Sequence, residues 1–296
     1  MTNTRAQGDQ FRDRVFALLR MLPGLKRIER EYPVDHQAVD IYYEEVASFG
    51  TVPVACECKD YGTPLTRSQI ETKIWPKYGP LLQNKTVKAV RVITPFPVGV
   101  DAQRYADSIG FTITTVDDLE AGIMDFGAYL RSIRAQFSDG GLDQYYLPVT
   151  FDAGEDAEDH LTAWLNGTNG RPIAILATYG MGKSSLAKRM AWLQASRHLE
   201  SNNARIPILI QLHDISTEQD IRGLITKHFA AQHVVHNFHY ELFCELNRRG
   251  RFFLIFDGFD EMRQAMSFSD IRFNFSEINR LVEDLKSTRL NSSHPY

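Results

Sequence analysis

The sequence has few cysteines and no long hydrophobic run. Three cysteines in 296 residues, two of them one residue apart, do not form the framework of a disulfide-rich secreted protein. No apolar run approaches the length of a membrane-spanning helix. The N-terminal region carries too many Arg, Asp and Glu residues to be a secretory signal. We therefore expect a cytoplasmic protein with no membrane partner.

An excess of positive charge is also missing. The chain has 33 Lys and Arg residues against 37 Asp and Glu residues, a formal net charge of -4. Residues 1–137 carry 17 of each sign, whereas residues 138–296 carry 16 basic and 20 acidic residues. Neither part is a strongly basic module that binds nucleic acid by charge alone. Any contact with DNA has to come from a local patch or from several copies acting together.

The pattern of apolar residues predicts a mixed α/β domain over residues 1–137. Helical and strand-like periodicities follow in the order α-β-β-β-α-β-α-β-α, and the last helix is predicted from Asp118 to Phe137. Residues 138–165 differ, because they contain glycine, proline and an excess of acidic side chains. This composition is typical of a linker or a lead-in segment.

The remainder alternates between strand and helix, as in a parallel nucleotide-binding sheet. We expect a partial P-loop NTPase domain over residues 166–286. Its strands are predicted at 172–177, 206–212 and 252–256.

A phosphate-binding loop follows the first of these strands. The segment from Ala177 to Ser185 reads A-T-Y-G-M-G-K-S-S, which fits the pattern G-x-x-x-x-G-K-[ST] except at Ala177. The glycines let backbone N–H groups turn toward a phosphate, and the following helix adds its partial positive charge. In this pattern the lysine reaches the β- and γ-phosphates and the next serine ligates Mg²⁺. We expect ATP, or alternatively GTP, to bind Gly180, Gly182, Lys183, Ser184 and Ser185.

Acidic residues follow the strand at 252–256 directly, in the segment D-G-F-D-E from Asp257 to Glu261. Asp257 is placed to hold Mg²⁺ through water, and Glu261 to polarise the attacking water. We count Asp260 among the nucleotide-binding residues. For this segment taken alone, an acidic turn after a core strand is the alternative interpretation.

The apolar strand followed by D-G-F-D-E resembles the NACHT family of STAND-class NTPases, which are signalling switches. Pro207, ahead of the strand at 208–212, and the segment Tyr145–Pro148 are similar to that family as well. The resemblance covers about residues 145–286. It implies a nucleotide-gated switch that forms homo-oligomers in the full-length protein.

The end of the sequence is short for that family. Only three core strands of the NTPase are predicted, and residues 287–296 form a polar tail without core periodicity. We interpret the chain as a fragment with an atypical tail, without the lid and sensor regions that the resemblance implies. We expect it to bind nucleotide weakly and to hydrolyse it slowly or not at all.

Two carboxylates and a lysine are predicted to converge in the first domain. Side chains alternate between the two faces of a strand, so Asp40 points away from Val39 and Ile41. By the same alternation, Glu57 and Lys59 share a face of the next strand. Two carboxylates at one point suit a divalent cation such as Mg²⁺ or Mn²⁺. A lysine beside them can orient or deprotonate a water and stabilise developing charge. A solvated Glu-Lys pair on an exposed strand is the alternative.

The spacing D-(x)16-E-x-K resembles the PD-(D/E)xK restriction-endonuclease fold, and within it the Mrr-like branch. The similarity continues through residues 87–119 and covers about residues 9–120 in all. It implies a restriction-endonuclease-like mixed α/β domain that cuts double-stranded DNA. It also implies that Asp40 and Glu57 are metal ligands and that Lys59 is the catalytic lysine.

The two resemblances together imply an antiviral defence effector. Nucleotide binding would drive oligomerisation, and clustering of the nuclease domains would lead to metal-dependent DNA cleavage. One alternative is an NTP-dependent restriction enzyme for modified DNA, which would need a base-reading module that we do not find. The other is a non-catalytic NACHT signalling protein whose degenerate nuclease domain binds DNA without cutting it. The presence of Asp40, Glu57 and Lys59 argues against the latter.

Overall fold

The chain forms two compact units, Met1–Asp125 and Phe126–Tyr296. The structure is a computed structural model. It describes residues 4–167, 172–201, 204–212, 221–231, 235, 237–258 and 276.

The first unit is built around a five-stranded sheet. Its strands are β1 (Leu25–Val34), β2 (Gln37–Ala47), β3 (Gly50–Cys58), β4 (Ala89–Thr94) and β5 (Phe111–Thr115). They lie in the order β1-β2-β3-β4-β5, antiparallel from β1 to β3 and parallel from β3 to β5. The helical elements are α1 (Thr4–Met21), α2 (Arg67–Gln69), a π-helical segment (Ile70–Ile74), α3 (Trp75–Gln83), α4 (Val100–Ser108) and α5 (Val116–Ile123). The predicted mixed α/β fold is confirmed.

Helices cover both faces of this sheet. Ile41 and Tyr42 are consecutive residues of β2, so their side chains point to opposite faces of the sheet. Both are buried, which shows that both faces are covered at this point. Helix α1 packs against β1, β3 and α5, and it buries Val15, Leu18 and Leu19, which helical spacing places on one side. The π-helical segment, α3 and α4 form a separate buried cluster with residues from all five strands. Polar side chains at the ends of β2 and β3 therefore lie next to a well-packed core.

The helical stretch between β3 and β4 changes its geometry after one turn. Thr66 begins it with a capping box: its Oγ1 accepts the Gln69 N–H at 3.3 Å, and its own N–H donates to Gln69 Oε1 at 2.9 Å. The N–H of Trp75 then donates to the carbonyl of Ile70, five residues back. This wider turn offsets α3 from α2 around the helix axis.

Gly79 in α3 lies against the ring of Trp75. A Cβ at Gly79 would be 2.7 Å from Trp75 Cδ2, and the Trp75 ring packs on Phe111 with centroids 5.6 Å apart. We expect Gly79→Ala to lower the free energy of unfolding by up to about 2 kcal/mol. The strain of overpacking, about 1–3 kcal/mol, exceeds the helix-propensity gain of about 1 kcal/mol. Urea unfolding followed by circular dichroism measures the difference.

Gly8 in α1 provides the matched control. Among the described residues, no atom outside the adjoining residues and backbone of α1 lies within 4 Å of a Cβ built at Gly8, so only the propensity gain remains. Gly8→Ala is expected to raise the free energy of unfolding by about 0.5–1 kcal/mol. Equal stabilisation by both substitutions would contradict the packing argument at Gly79.

The second unit contains two parallel strands, β6 (Ile206–Gln211) and β7 (Phe252–Asp257). Its helices are α6 (Gly127–Asp139), α7 (Leu142–Tyr145), α8 (Ala157–Asn166), α9 (Lys183–Ser201), α10 (Ile221–Ala231) and α11 (Tyr240–Arg248). Helices α8 and α9 share a buried apolar cluster with Phe253 of β7. The parallel strand pair is that of the predicted NTPase sheet. Within the part of the chain that is described, no helix has the length and apolar character to cross a membrane.

Two predicted elements are wrong. The single helix from Asp118 to Phe137 is two helices, α5 and α6, because Met124 adopts an extended backbone with φ -128° and ψ 96°. Residues 172–177 are not a strand. In this segment Leu176 is 91% exposed, whereas Ile175 packs against the apolar cluster that α8 and α9 share. An apolar run of strand length thus does not pair with a neighbouring strand among the described residues.

The acidic segment at 138–165 contains α7 and α8. Asp156 caps α8 by accepting the N–H groups of Glu158 and Asp159 at 2.8 and 3.1 Å. The buried residues of α8 are spaced four apart, so its acidic residues coexist with one apolar face. They are Ala157, Leu161 and Leu165. Since the second unit begins at Phe126, α6 belongs to it as well, although we predicted residues up to 137 as part of the first domain.

Candidate functional sites

Asp40 and Glu57 lie opposite each other on β2 and β3. Ile41 pairs with Cys56 in the antiparallel register, so the next pair along is Asp40 with Glu57, on one face of the sheet. Asp40 Oδ2 accepts the N–H of Cys58 at 3.0 Å, which holds the Asp40 side chain toward β3. Strand alternation therefore brings the two predicted carboxylates together.

Glu57 is a buried carboxylate with several partners. Its side chain is 2% exposed, and Lys59 contacts its Oε1. On the other oxygen, Lys77 Nζ lies 3.2 Å from Glu57 Oε2, and the Tyr78 hydroxyl donates to the same atom. Buried charges require opposite charges and hydrogen bonds, and Glu57 has both. The Glu57–Lys59 pair is therefore not the exposed, solvated pair that was the alternative.

Lys77 contacts both carboxylates. Its Nζ lies 3.6 Å from Asp40 Oδ1 and 3.2 Å from Glu57 Oε2. We did not predict Lys77 or Tyr78 from the sequence. They come from α3, and no spacing rule connects that helix to the ends of β2 and β3. The site thus has two more functional groups than its strand motif contains.

Burial and neighbouring charges set the protonation of the groups around Glu57. Burial raises the pKa of Tyr78, and the charges of Glu57 and Asp40 raise it further, so Tyr78 acts as a neutral donor. For Lys59, burial lowers the pKa, but the charge of Glu57 and the hydrogen bond to it outweigh burial and leave the pKa raised. In this arrangement Lys59 is an ammonium, which suits it to stabilising negative charge rather than to accepting a proton.

The donor set of this site fits a hard divalent cation. Mg²⁺ prefers oxygen ligands and commonly keeps several waters beside one or two carboxylates. The Lys77 ammonium already stands between Asp40 and Glu57, so the space between them accepts a cation. Across the described ranges, this site included, no three His, Cys, Asp or Glu side chains are grouped around a possible metal position. Asp40 and Glu57 would therefore supply the carboxylate ligands.

The loop before α9 has the backbone of a phosphate-binding turn. Gly180 and Gly182 both have a φ of 81°, a conformation that favours glycine. Lys183 begins α9, and its Nζ donates to the carbonyls of Ala177 at 2.8 Å and Thr178 at 3.2 Å. Ala177, which departs from the sequence pattern, therefore still contacts the lysine of the loop.

Ser184 and Asp257 meet where the loop approaches the end of β7. Ser184 Oγ donates to Asp257 Oδ1 at 3.0 Å, and Asp257 pairs with Gln211 in the parallel register. The hydroxyl and the carboxylate that we predicted as Mg²⁺ ligands thus lie side by side. Ser185 is the third residue of α9. Asp260 and Glu261 lie outside the described residues, and their roles stay predictions.

The loop at 177–185, placed beside Asp257, defines a P-loop NTPase site. Residues 171–291 match the family model described as NACHT domain. NACHT is a nucleoside triphosphatase domain of the P-loop class, so this match supports the predicted NACHT NTPase part of the chain.

Two individual proteins are similar to parts of the chain. An uncharacterized WD repeat-containing protein of Nostoc sp. is 29% identical over a 196-residue alignment that covers 58% of this chain and 13% of that protein. The structure of Pyrococcus furiosus SfsA in complex with Ca²⁺ aligns with 39% of this chain and 58% of that chain, at 18% identity and a TM-score of 0.25. That TM-score is too low to indicate a shared fold. None of these findings supports the resemblance of residues 9–120 to Mrr-like nucleases, which stays a prediction.

Proposed function

We propose that this chain is part of a STAND-type signalling protein in which the NACHT NTPase controls a metal-dependent DNA endonuclease. The NACHT match and the WD-repeat relative support the signalling part. The observation that carries the nuclease part is the convergence of Asp40, Glu57 and Lys59 at the ends of two paired strands. We infer an antiviral defence role from the pairing of the two proposed activities, and a cytoplasmic location from the low number of cysteines.

The second unit is proposed to bind ATP, with GTP as the alternative, together with Mg²⁺. Lys183 would exchange the loop carbonyls for the β- and γ-phosphates, and Ser184 and Asp257 would hold the cation. Glu261 would polarise the attacking water. Nucleotide binding then favours homo-oligomers of the full-length protein. The remaining proposed nucleotide contacts are Gly180, Gly182, Ser185 and Asp260.

The first unit is proposed to hydrolyse a phosphodiester bond of double-stranded DNA. Asp40 and Glu57 would hold Mg²⁺ or Mn²⁺, which when bound supplies Lewis-acid stabilisation of charge on the phosphate. Tyr78 keeps the Glu57 carboxylate in place, and the Lys59 ammonium stabilises the same developing charge. Because residues 1–137 have balanced charge, clustering of several copies would supply the affinity for DNA.

A non-catalytic role is the second candidate. Both carboxylate oxygens of Glu57 already have protein partners, so the cluster is satisfied without a metal ion. In that case the first unit would bind DNA without cutting it. The third candidate, an NTP-dependent restriction enzyme for modified DNA, requires a base-reading module outside the two proposed domains.

Plasmid nicking tests the nuclease proposal. We expect the full chain to nick unmodified supercoiled plasmid with Mg²⁺ or Mn²⁺ but not with EDTA. Lys59→Ala is expected to slow nicking by about a hundredfold, because donors aimed at transition-state charge contribute about that much. Each protein is assayed alone and fused to a stable oligomer that enforces clustering, with gel electrophoresis as the measurement.

Lys73→Ala is the matched control. Lys73 lies in the neighbouring π-helical segment, and its ammonium sits 5.3 Å from the centre of the Tyr61 ring, so its loss should leave nicking unchanged. If the clustered wild type does not nick, the non-catalytic role is favoured. Nicking that depends on modified plasmid favours the restriction enzyme, and nicking that survives Lys59→Ala contradicts the role of Lys59.

A further inference from the structure

Lys77 places a positive charge where the two candidate metal ligands converge. Its Nζ is 3.6 Å from Asp40 Oδ1 and 3.2 Å from Glu57 Oε2. The ion pair of Lys59 with Glu57 is on the opposite carboxylate oxygen, Oε1. The two lysines therefore differ in position: Lys59 flanks the acidic pair, whereas Lys77 bridges it.

The backbone around Lys77 is fixed from two sides. Its carbonyl accepts Gln37 Nε2 at 2.6 Å, and the adjacent Tyr78 is buried beneath it with its hydroxyl on Glu57. The Lys77 ammonium lies 4.8 Å from the centre of the Tyr78 ring. The π-helical segment directly before α3 sets this orientation, and such segments occur frequently at functional sites.

The side chain of Lys77 can nevertheless leave this position. It is 31% exposed, and a lysine side chain has a flexible four-carbon stem with a strongly hydrated head group. If the ammonium turns to water, Glu57 keeps Lys59 and Tyr78 as partners. Asp40 keeps the N–H of Cys58. Removal of the bridging charge therefore opens the space between the carboxylates without dismantling the cluster.

We propose that Lys77 is a resident counter-ion that occupies the metal position of the first unit and must withdraw before a divalent cation binds. The inference rests on the proposed nuclease function, since it takes Asp40 and Glu57 to be metal ligands. It makes Lys77 a positioning residue that lowers the affinity for metal in the resting protein. A phosphate that attracts the withdrawn ammonium would favour metal binding, and by linkage bound metal would favour that phosphate.

Mn²⁺ titration by isothermal calorimetry tests the proposal on the nucleotide-free full chain. All proteins carry Asp257→Asn, so that the NTPase site lacks its predicted carboxylate ligand. Lys77→Met is expected to lower the Kd for Mn²⁺ by about tenfold. The full effect of one competing charge at this distance is larger, but the Lys77 ammonium regains hydration when it withdraws, which offsets most of that effect. Lys77→Arg keeps the charge, and Lys73→Met removes a charge that lies over the Tyr61 ring rather than in an ion pair with Asp40 or Glu57, so both should match the parent.

Lys59→Met tests whether the gain in Mn²⁺ affinity comes from vacating the metal position or from removing any positive charge near the carboxylates. Because Lys59 flanks the pair, its removal should improve Mn²⁺ affinity less than removal of Lys77 does. Equal gains from the two substitutions, or no gain from Lys77→Met, would overturn the inference while leaving the metal site intact. If neither the parent nor Lys77→Met binds Mn²⁺, the proposed nuclease function fails, and the inference with it.

Amine labelling of the unaltered protein gives an independent measurement that does not require a Lys77 variant to fold. An acylating reagent and mass spectrometry report the modification rate of each lysine with and without saturating Mn²⁺. The rate at Lys77 is expected to rise several-fold with Mn²⁺, because the withdrawn amine loses its two carboxylate partners, whereas the rate at Lys73 stays constant. A rate at Lys77 that is unchanged by bound Mn²⁺ contradicts the proposal.

Discussion

Glu57→Ala is expected to lower the free energy of unfolding of the first unit by about 3 kcal/mol. Removal of one partner from a buried ion pair typically costs about 3–5 kcal/mol, because the charge left behind is uncompensated. The lower end applies here, since Lys59 and Lys77 are 27% and 31% exposed and can turn toward water. The Tyr78 hydroxyl is buried and cannot do so. Urea unfolding, with the signal of the first unit followed separately, measures the loss.

Glu45→Ala is the control for this prediction. Glu45 lies on the same strand as Asp40, and its carboxylate contacts Arg91 at 3.0 Å with both side chains about one third exposed, 33% and 28%. An exposed ion pair contributes at most about 1 kcal/mol. If Glu57→Ala costs no more than Glu45→Ala, the buried cluster does not stabilise the unit as we argue. This prediction holds whether or not the first unit cuts DNA.

Lys183→Ala is expected to weaken binding of ATP by about a thousandfold. A unit charge about 4 Å from a phosphate contributes about 4 kcal/mol near a protein surface, and each 1.4 kcal/mol corresponds to about tenfold in Kd. The Lys183 side chain already points back over the loop toward the carbonyls of Ala177 and Thr178, where a phosphate would replace them. Fluorescence anisotropy of a labelled ATP analogue, with Mg²⁺ present, measures the change.

Lys188→Ala provides a matched substitution on the same helix, α9, and should leave the affinity unchanged. Asp257→Asn should remove the part of the affinity that depends on Mg²⁺, because Asp257 accepts the hydroxyl of the other predicted ligand, Ser184. ATP binding that is indifferent to Lys183→Ala would contradict the assignment of the loop. Rapid ATP hydrolysis by the wild type that is abolished by Lys183→Ala would contradict our expectation of slow turnover.

The parts of both sites that follow local rules were predictable. Alternation of side chains along a strand places Asp40 and Glu57 on one face, and the register of β2 with β3 brings them together. The phosphate-binding loop is a short continuous segment, and the spacing of its glycines and lysine is sufficient to specify the geometry of the loop. In both cases the information lies within a few residues of the side chains concerned.

The parts that depend on distant packing were not predictable in this way. Lys77 reaches the carboxylates because a π-helical segment sets the rotation of α3 about its own axis. No periodicity in the sequence predicts that segment. The apolar run at 172–177 fails as a strand because pairing requires a neighbour, which a single run cannot specify. We did not predict helix α8, because acidic residues alternate with its apolar residues. The four-residue spacing of those apolar residues is nevertheless a helical pattern that the sequence contains.

The π-helical segment also determines which kinds of genetic change the first site can tolerate. A residue added to a helical turn rotates everything that follows by about 100°. Lys77 and Tyr78 meet Asp40 and Glu57 only after such a rotation. Loss of a single codon between positions 70 and 74 would turn both side chains away while every site residue kept its identity. The length of this segment is therefore as much a part of the site as its charged groups, and comparisons of related genes by substitution alone would overlook it.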